Sequence, residues 1–411
     1  MPEPDKTIIV IATLDTKGRE VSFLVSQLNS VGLTVKIMDV GIGLKPSCHA
    51  DISRDAVASR SASDIAHLLA QHNGKAKAME AMACGALAMM KELLDACTVS
   101  GVMALGGGVG TWIGMNVLRD LPFGLPKIMI STLPFDVRSA MGAKDIIIFP
   151  SVTDILGLNP ILRKVLHNAA GAMAGMTEMA ELPSSAKQVI AVTALGVTTP
   201  LVSSCKSILE AQGYEIAAFH GVGVGGKIFE EWVRAGTFSG VLDLTPHDIN
   251  NFLFDGITPF YPGRLESAAD AKIPQVVAPG GLDFISRGPL ETLSQEDRQR
   301  KHYQHSPMFT HVRVNSAEME KVAEEIAVKL NRGTGPTQVA IPLRGFSHQG
   351  MADGYLADQQ ADLSFTRALK QNLKPSIPVI EVDAHINDES FARVVCDLLL
   401  EMITQEPASP R

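Results

Sequence analysis

This 411-residue sequence predicts an α/β fold of two Rossmann-like lobes, each a mostly parallel sheet flanked by helices. Three observations point to it. Short apolar runs alternate with helix-period segments along the chain, as in successive βαβ units. The opening pattern then restarts: Lys6-TIIVIATL and Lys187-QVIAVTAL align without a gap at a shift of 181 residues, and the register holds through Gly32 and Gly213 to LTVKIMDV and YEIAAFHG. Finally, 46% apolar and 19% charged residues can bury a large core, which excludes general disorder. The repeat sets the domains: residues 1–180 as a nucleotide-binding lobe, 188–411 as a second lobe with a substrate or partner site, and TEMAELPSSAK (177–187) as linker.

In the first lobe, apolar runs place strands at Thr7–Ala12, Thr34–Asp39, Gly101–Leu105, Lys127–Ser131 and Asp145–Ile148. Helices fit Gly18–Val31, Ser63–Gln71, Ala76–Ala96, Trp112–Asp120 and Pro160–Gly175. The last opens with Asn159 as N-cap and Pro160 at the first helical position. After the two strands of the repeat, the second lobe continues with strands Ser239–Leu244, Pro274–Ala278 and Gln338–Pro342. Its helices fit Lys227–Ala235, Ala317–Leu330, Leu363–Asn372 and Glu389–Glu401.

A net charge of −8 disfavours nucleic-acid and membrane partners, and 5% aromatics cannot furnish a base-stacking platform. Five cysteines (Cys48, Cys84, Cys97, Cys205, Cys396) without CxxC spacing argue against a disulfide framework and a zinc ribbon. The start MPEPDKTIIV has no signal-peptide pattern. The uncharged stretch from Ala96 to Leu118 is too rich in glycine for a membrane span and reads as strand, loop and helix. A cytoplasmic protein is expected.

In parallel sheets ligands bind beyond the carboxyl ends of the strands, so the loops there carry the candidate chemistry. Thr13-Leu-Asp-Thr-Lys-Gly18 puts backbone amides at a helix start, where anions are favoured. Thr13 and Thr16 offer hydroxyls, Lys17 a phosphate contact, and Asp15 a cation or ribose contact; a capped helix start is the alternative. Gly106, Gly107, Gly108, Gly110 and Thr111 form a glycine loop whose amides can approach an anion closely. A tight turn alone is the other reading, and the loop is not a Walker A motif. Thr132 lies on the same edge. Asp154 suits metal or substrate, and with Asn159 it equally suits local capping.

In the second lobe, Gly221, Gly223 and Gly226 satisfy GxGxxG after His220, and Asp243 ends the next strand. This formal dinucleotide fingerprint follows the second strand of its domain, so another anion-binding loop is the stronger reading. Arg344 is a candidate fork for carboxylate or phosphate, with a surface ion pair as the alternative. His220, His247, His302, His305 and His311 show no metal-ligand spacing, so no zinc site is expected. With neither a GxSxG elbow nor a Cys–His pairing, acyl transfer has no support in the sequence.

The stretches Thr13-LDTKGRE, DISRD ahead of Ala56, Leu105-GGGVGT, Pro126-KIMIST, Ser151-VTDILGLN, Asn168-AAGAMAGM, Phe219-HGVGVGG, Gly240-VLDLT and Leu343-RGFS resemble the Tm-one-like ATP-binding domain family. The likeness spans nearly the whole chain. It implies two α/β lobes, ATP binding by the first lobe, with or without Mg2+, and a homodimer. Carried over by motif, the nucleotide would lie against Thr13, Asp15, Thr16, Lys17, Gly107, Gly108, Gly110, Thr111 and Thr132. Three functions stay open: a nucleotide-binding metabolic enzyme with a small anionic substrate in the interlobe cleft, a non-catalytic nucleotide sensor or interaction protein, and a nicotinamide enzyme using the 221–226 loop.

Overall fold

A computed structural model describes residues 7–96, 99–179, 187–258 and 261–405. The chain divides into two units, Met1–Pro183 and Ser184–Arg411. Most of the expected linker, residues 180–186, lies outside the described residues, as does Cys97. Cys48, Cys84, Cys205 and Cys396 are free thiols.

The first unit runs β1 (Thr7–Ala12), α1 (Leu14–Ser30), β2 (Thr34–Asp39), α2 (Arg54–Arg60), α3 (Ile65–Leu69), α4 (Gly74–Asp95), β3 (Gly101–Gly106), α5 (Gly108–Leu118), β4 (Lys127–Ser131), α6 (Val137–Met141), β5 (Ile147–Pro150) and α7 (Pro160–Glu178). Its five strands pair in the order β2-β1-β3-β4-β5, all parallel. β1 and β3 are buried along their whole length because helices cover both faces. Alternation sorts the side chains. Ile8 and Val10 pack with Leu24 of α1 and Leu166 of α7, while Ile9 and Ile11 pack with Met82 of α4 and Ile113 of α5. Gly114 lets α5 lie close on β3, since a Cβ there would sit 2.7 Å from that of Ala104.

The second unit runs β6 (Val189–Ala194), α8 (Thr199–Ala211), β7 (Glu215–His220), α9 (Val224–Arg234), β8 (Gly240–Asp243), α10 (Asp248–Leu253), α11 (Ser267–Asp270), β9 (Gln275–Val277), β10 (Phe284–Arg287), α12 (Gln295–Gln299), β11 (His302–Ser306), β12 (Phe309–Arg313), α13 (Ser316–Arg332), β13 (Thr337–Pro342), α14 (Gln359–Asn372), β14 (Val379–Val382) and α15 (Glu389–Gln405). Six parallel strands pair in the order β14-β13-β9-β8-β6-β7. The sheet is again helix-covered on both faces: Ile190 and Val192 pack with α8 and α15, Ala191 with Phe229 of α9. Two Rossmann-like sheets therefore form as the sequence predicts. An antiparallel sheet, β10-β12-β11, was not expected.

The repeat extends to the turns. Gly32 (φ +83°) and Gly213 (φ +89°) end α1 and α8 in the left-handed region. In each turn the next amide returns to the helix, Leu33 N to Leu28 O and Tyr214 N to Leu209 O, at 3.2 and 3.1 Å.

Both expected anion loops are shorter than the sequence suggests. α1 begins at Leu14 and α5 at Gly108, so most of each loop is the first turn of a helix. No helix among the described residues is long and apolar enough to cross a membrane.

Candidate functional site

The first sheet reverses its strand order between β1 and β3, and the segments after those two strands flank the resulting crevice. On one side, α1 starts directly after Thr13. Its first amide, Leu14 N, donates to Asp39 Oδ1 at 3.0 Å. Asp39, at the end of β2 and fully buried, also accepts from Gly41 N and Arg54 Nε, each at 2.9 Å. Asp15 accepts from Gly43 N at 2.8 Å. Thr16 is exposed, with its hydroxyl 3.2 Å from that of the buried Thr13. The Lys17 ammonium donates to the Ile155 carbonyl, and Glu20 Oε1 accepts from Gly157 N at 2.6 Å. These two bonds fold the segment after β5 back onto α1, and leave Asp154 exposed beside them.

On the other side, Gly106 and Gly110 are packing glycines: a Cβ on Gly106 would lie 2.4 Å from Gly110 Cα. Gly107 and Gly108 face open space, with nothing within 4 Å of a built Cβ. Thr111 is fully buried, donates to the Gly106 carbonyl at 3.0 Å and shares a 2.8 Å hydrogen bond with Ser131. Its hydroxyl therefore holds the turn together. Thr132, half-buried, follows β4 on the same edge. Asn159 caps α7, its Oδ1 accepting from Leu162 N at 2.9 Å.

Beside the start of α1 lies a hollow of about 200 Å3 lined by Gly41, Gly43, Ile42, Arg54, Leu69 and Met82, among others. Arg54 Nη2 is buried here without a hydrogen-bond partner among the described residues.

In the second lobe the glycine motif serves packing. A Cβ on Gly221 would lie 2.4 Å from the Thr245 carbonyl, and one on Gly226 1.9 Å from Asp248 Oδ2. Gly223 N donates to Asp248 Oδ1 at 2.6 Å. Asp243 is buried, and both its oxygens are taken, one by Thr193 and Arg264, the other by Arg264. Asp243 is thus engaged on both oxygens within the lobe. Burial opposes the charge of Arg264, yet Asp243 and Glu230 hold its pKa well above the ordinary value. Burial raises Asp248 to about 6. Arg344, exposed, forks onto Asp383 through two 2.8 Å bonds, so the surface ion pair is the arrangement found.

A pocket of about 180 Å3 sits at this lobe's own reversal point, between the segments after β6 and β8. Leu195, Gly196 and Val197 line it from one side, His220 and His247 from the strand ends, and Phe284, Ser286, His305, Phe309 and His311 from the antiparallel sheet. The rings form a column: His247 on Phe284 at 4.4 Å, Phe284 on His311 at 4.0 Å, His311 on His305 at 4.8 Å between centroids. Burial pushes His247 down to about 4 and His311 to about 3, so both are neutral at pH 7. Among the described residues no cluster of His, Cys, Asp and Glu is arranged to hold a metal ion.

Two family models cover most of the chain. Residues 6–182 match the N-terminal domain of the uncharacterised protein family UPF0261, and residues 187–403 match its C-terminal domain. The chain belongs to the UPF0261 family. A UPF0261 protein of Clostridium tetani is 37% identical over 97% of this chain and 99% of its own length. One from Mesorhizobium japonicum is 34% identical over 96% of this chain and 98% of its own. The ToMV resistance protein Tm-1(GCR237) of Solanum lycopersicum is 34% identical over 96% of this chain, which spans 55% of the plant protein. The expected kinship with Tm-one-like chains thus holds as UPF0261 membership.

Three features of this UPF0261 chain escaped sequence reasoning. Asp39 was seen only as the end of a strand, and Arg54 only as part of a matching stretch. Ser286 carried no signal at all, because its partner His247 lies 39 residues away and the strand that holds it was not expected.

Proposed function

We propose that the first lobe binds a nucleotide through its phosphates in the crevice between β1 and β3, with ATP as the ligand. One observation carries the reading: the N-terminus of the 11-residue α5 opens at the strand-order reversal with no side-chain cap, and Gly107 and Gly108 border open space there. Unpaired amides and the helix dipole favour a phosphate there, and Thr16 in the first turn of α1 and Thr132 after β4 add hydroxyls.

The hollow beside α1 supports a place for the base. Its volume of about 200 Å3 suits one ring system rather than a whole nucleotide, and Ile42, Leu69 and Met82 supply apolar walls. The unpartnered Arg54 nitrogen offers a donor to a ring or ribose oxygen. Thr13, Asp15, Lys17, Gly106, Gly110 and Thr111 hold the two helix starts in place. Mg2+ would arrive with the nucleotide, bound mainly by phosphate and water, with Asp154 as the exposed carboxylate on the neighbouring segment.

Isothermal titration with ATP and Mg2+, alongside inorganic phosphate and NAD, tests this. Saturable heat with ATP is expected, together with about 2.7 kcal/mol of stabilisation at 100 times the dissociation constant. No heat and no melting shift at millimolar ATP rejects the reading.

A further inference from the structure

The second lobe's pocket holds an arrangement independent of the nucleotide reading. His247 Nδ1 lies 2.6 Å from the Gly281 carbonyl, and His247 Nε2 lies 2.8 Å from Ser286 Oγ. A carbonyl can only accept, so Nδ1 carries the proton of the neutral ring. Nε2 is then a lone pair, and the Ser286 hydroxyl donates to it. A hydroxyl bonded to an imidazole, itself oriented by a third group, is the geometry of an activated nucleophile. Gly281 adopts φ +70°, and that left-handed backbone sets the orienting carbonyl.

Two further observations point to a ligand. Ser286 pairs across the antiparallel sheet with His311, whose Nδ1 is buried with no partner among the described residues. Among the described residues no Asp, Glu, Lys or Arg lines the pocket, and Phe284, Phe309 and Val197 give it apolar walls. Such a site favours an uncharged, planar molecule.

We propose that Ser286 is a nucleophile, with His247 as its base, for a small uncharged activated ester. Ser286 Oγ forms a bond to the acyl carbon as its proton passes to His247 Nε2. The bond from the acyl carbon to the leaving oxygen breaks, and His247 returns the proton to that oxygen. Water then attacks the acyl-serine, giving up a proton through His247, and releases the carboxylic acid and free Ser286. The Gly281 carbonyl is a positioning group; it stabilises the imidazolium less than a carboxylate would, so the leaving group must be a good one.

The test uses the full chain, an alkyl fluorophosphonate probe and p-nitrophenyl acetate. One adduct mapping to Ser286 and a burst of p-nitrophenolate are expected. Ser286→Ala should lose both, and His247→Gln should slow labelling by at least about 100-fold with a native circular dichroism spectrum. Ser286→Cys, which keeps the fold with a thiol in place, should react with iodoacetamide faster than the free exposed Cys84. An adduct on any other residue, or none, overturns the proposal, as does unchanged labelling in a folded His247→Gln. Should that variant fail to fold, peptide mapping of the parent and the Ser286→Cys rate decide.

Discussion

Arg264 and Asp243 meet through two hydrogen bonds, Nη1 to Oδ2 at 2.8 Å and Nη2 to Oδ1 at 3.1 Å, with both side chains buried. Glu230 and Asp248 complete the cluster at 2.6 and 3.0 Å. One cation faces three carboxylates, and Asp248 is raised to about 6. Replacing Arg264 by Met leaves buried acids with no counter-charge. A loss of about 3–5 kcal/mol is expected in urea unfolding, with the second lobe giving way first.

Gly108 separates binding from stability. A side chain there meets open space, and an aspartate at a helix start favours the helix dipole. Gly108→Asp should therefore leave stability unchanged or raise it by about 0.3–1 kcal/mol. The same charge should repel phosphate and abolish the ATP heat. A Gly108→Asp variant that binds ATP like the parent places the phosphate elsewhere.

His311 should give the protein an acid-sensitive term. Burial lowers its folded pKa to about 3, below the unfolded value near 6.5. Between those values the unfolded chain holds more protons, so stability falls as pH drops below about 6.5. His247, at about 4, acts in the same direction. Asp248 and Asp362, both raised to about 6, act oppositely. The difference between His311→Phe and the parent cancels the acids. It should move in the variant's favour by on the order of 3 kcal/mol from pH 7 to pH 4. A flat difference shows that His311 titrates normally.

Gly32 and Gly213 should respond alike. Each sits in the left-handed region with open space around it. Alanine at either position should cost about 1–2 kcal/mol through backbone strain alone. Unequal losses would show that the two turns carry different loads.

The sheets were readable because their central strands are short apolar runs with helices on both faces: Thr7–Ala12 and Lys127–Ser131 form as expected, and the half-exposed edge strand Thr34–Asp39 forms beside them. The antiparallel sheet was not, because HYQHS is polar and partly exposed, and FTHVR buries Thr310, His311 and Arg313, polar residues that no apolar alternation marks. The glycine loops were found as segments, but their division of labour was not. Gly106 and Gly108 look equal in sequence, yet one packs on backbone and the other faces open space. Long-range partners such as Asp39 with Leu14, or Ser286 with His247, depend on pairings that no local pattern encodes.

All the residues lining the His247 pocket fall between Leu195 and His311. Among the described residues, that pocket is thus furnished by the sequence of one unit, so its lining can be altered without touching a strand of the first sheet.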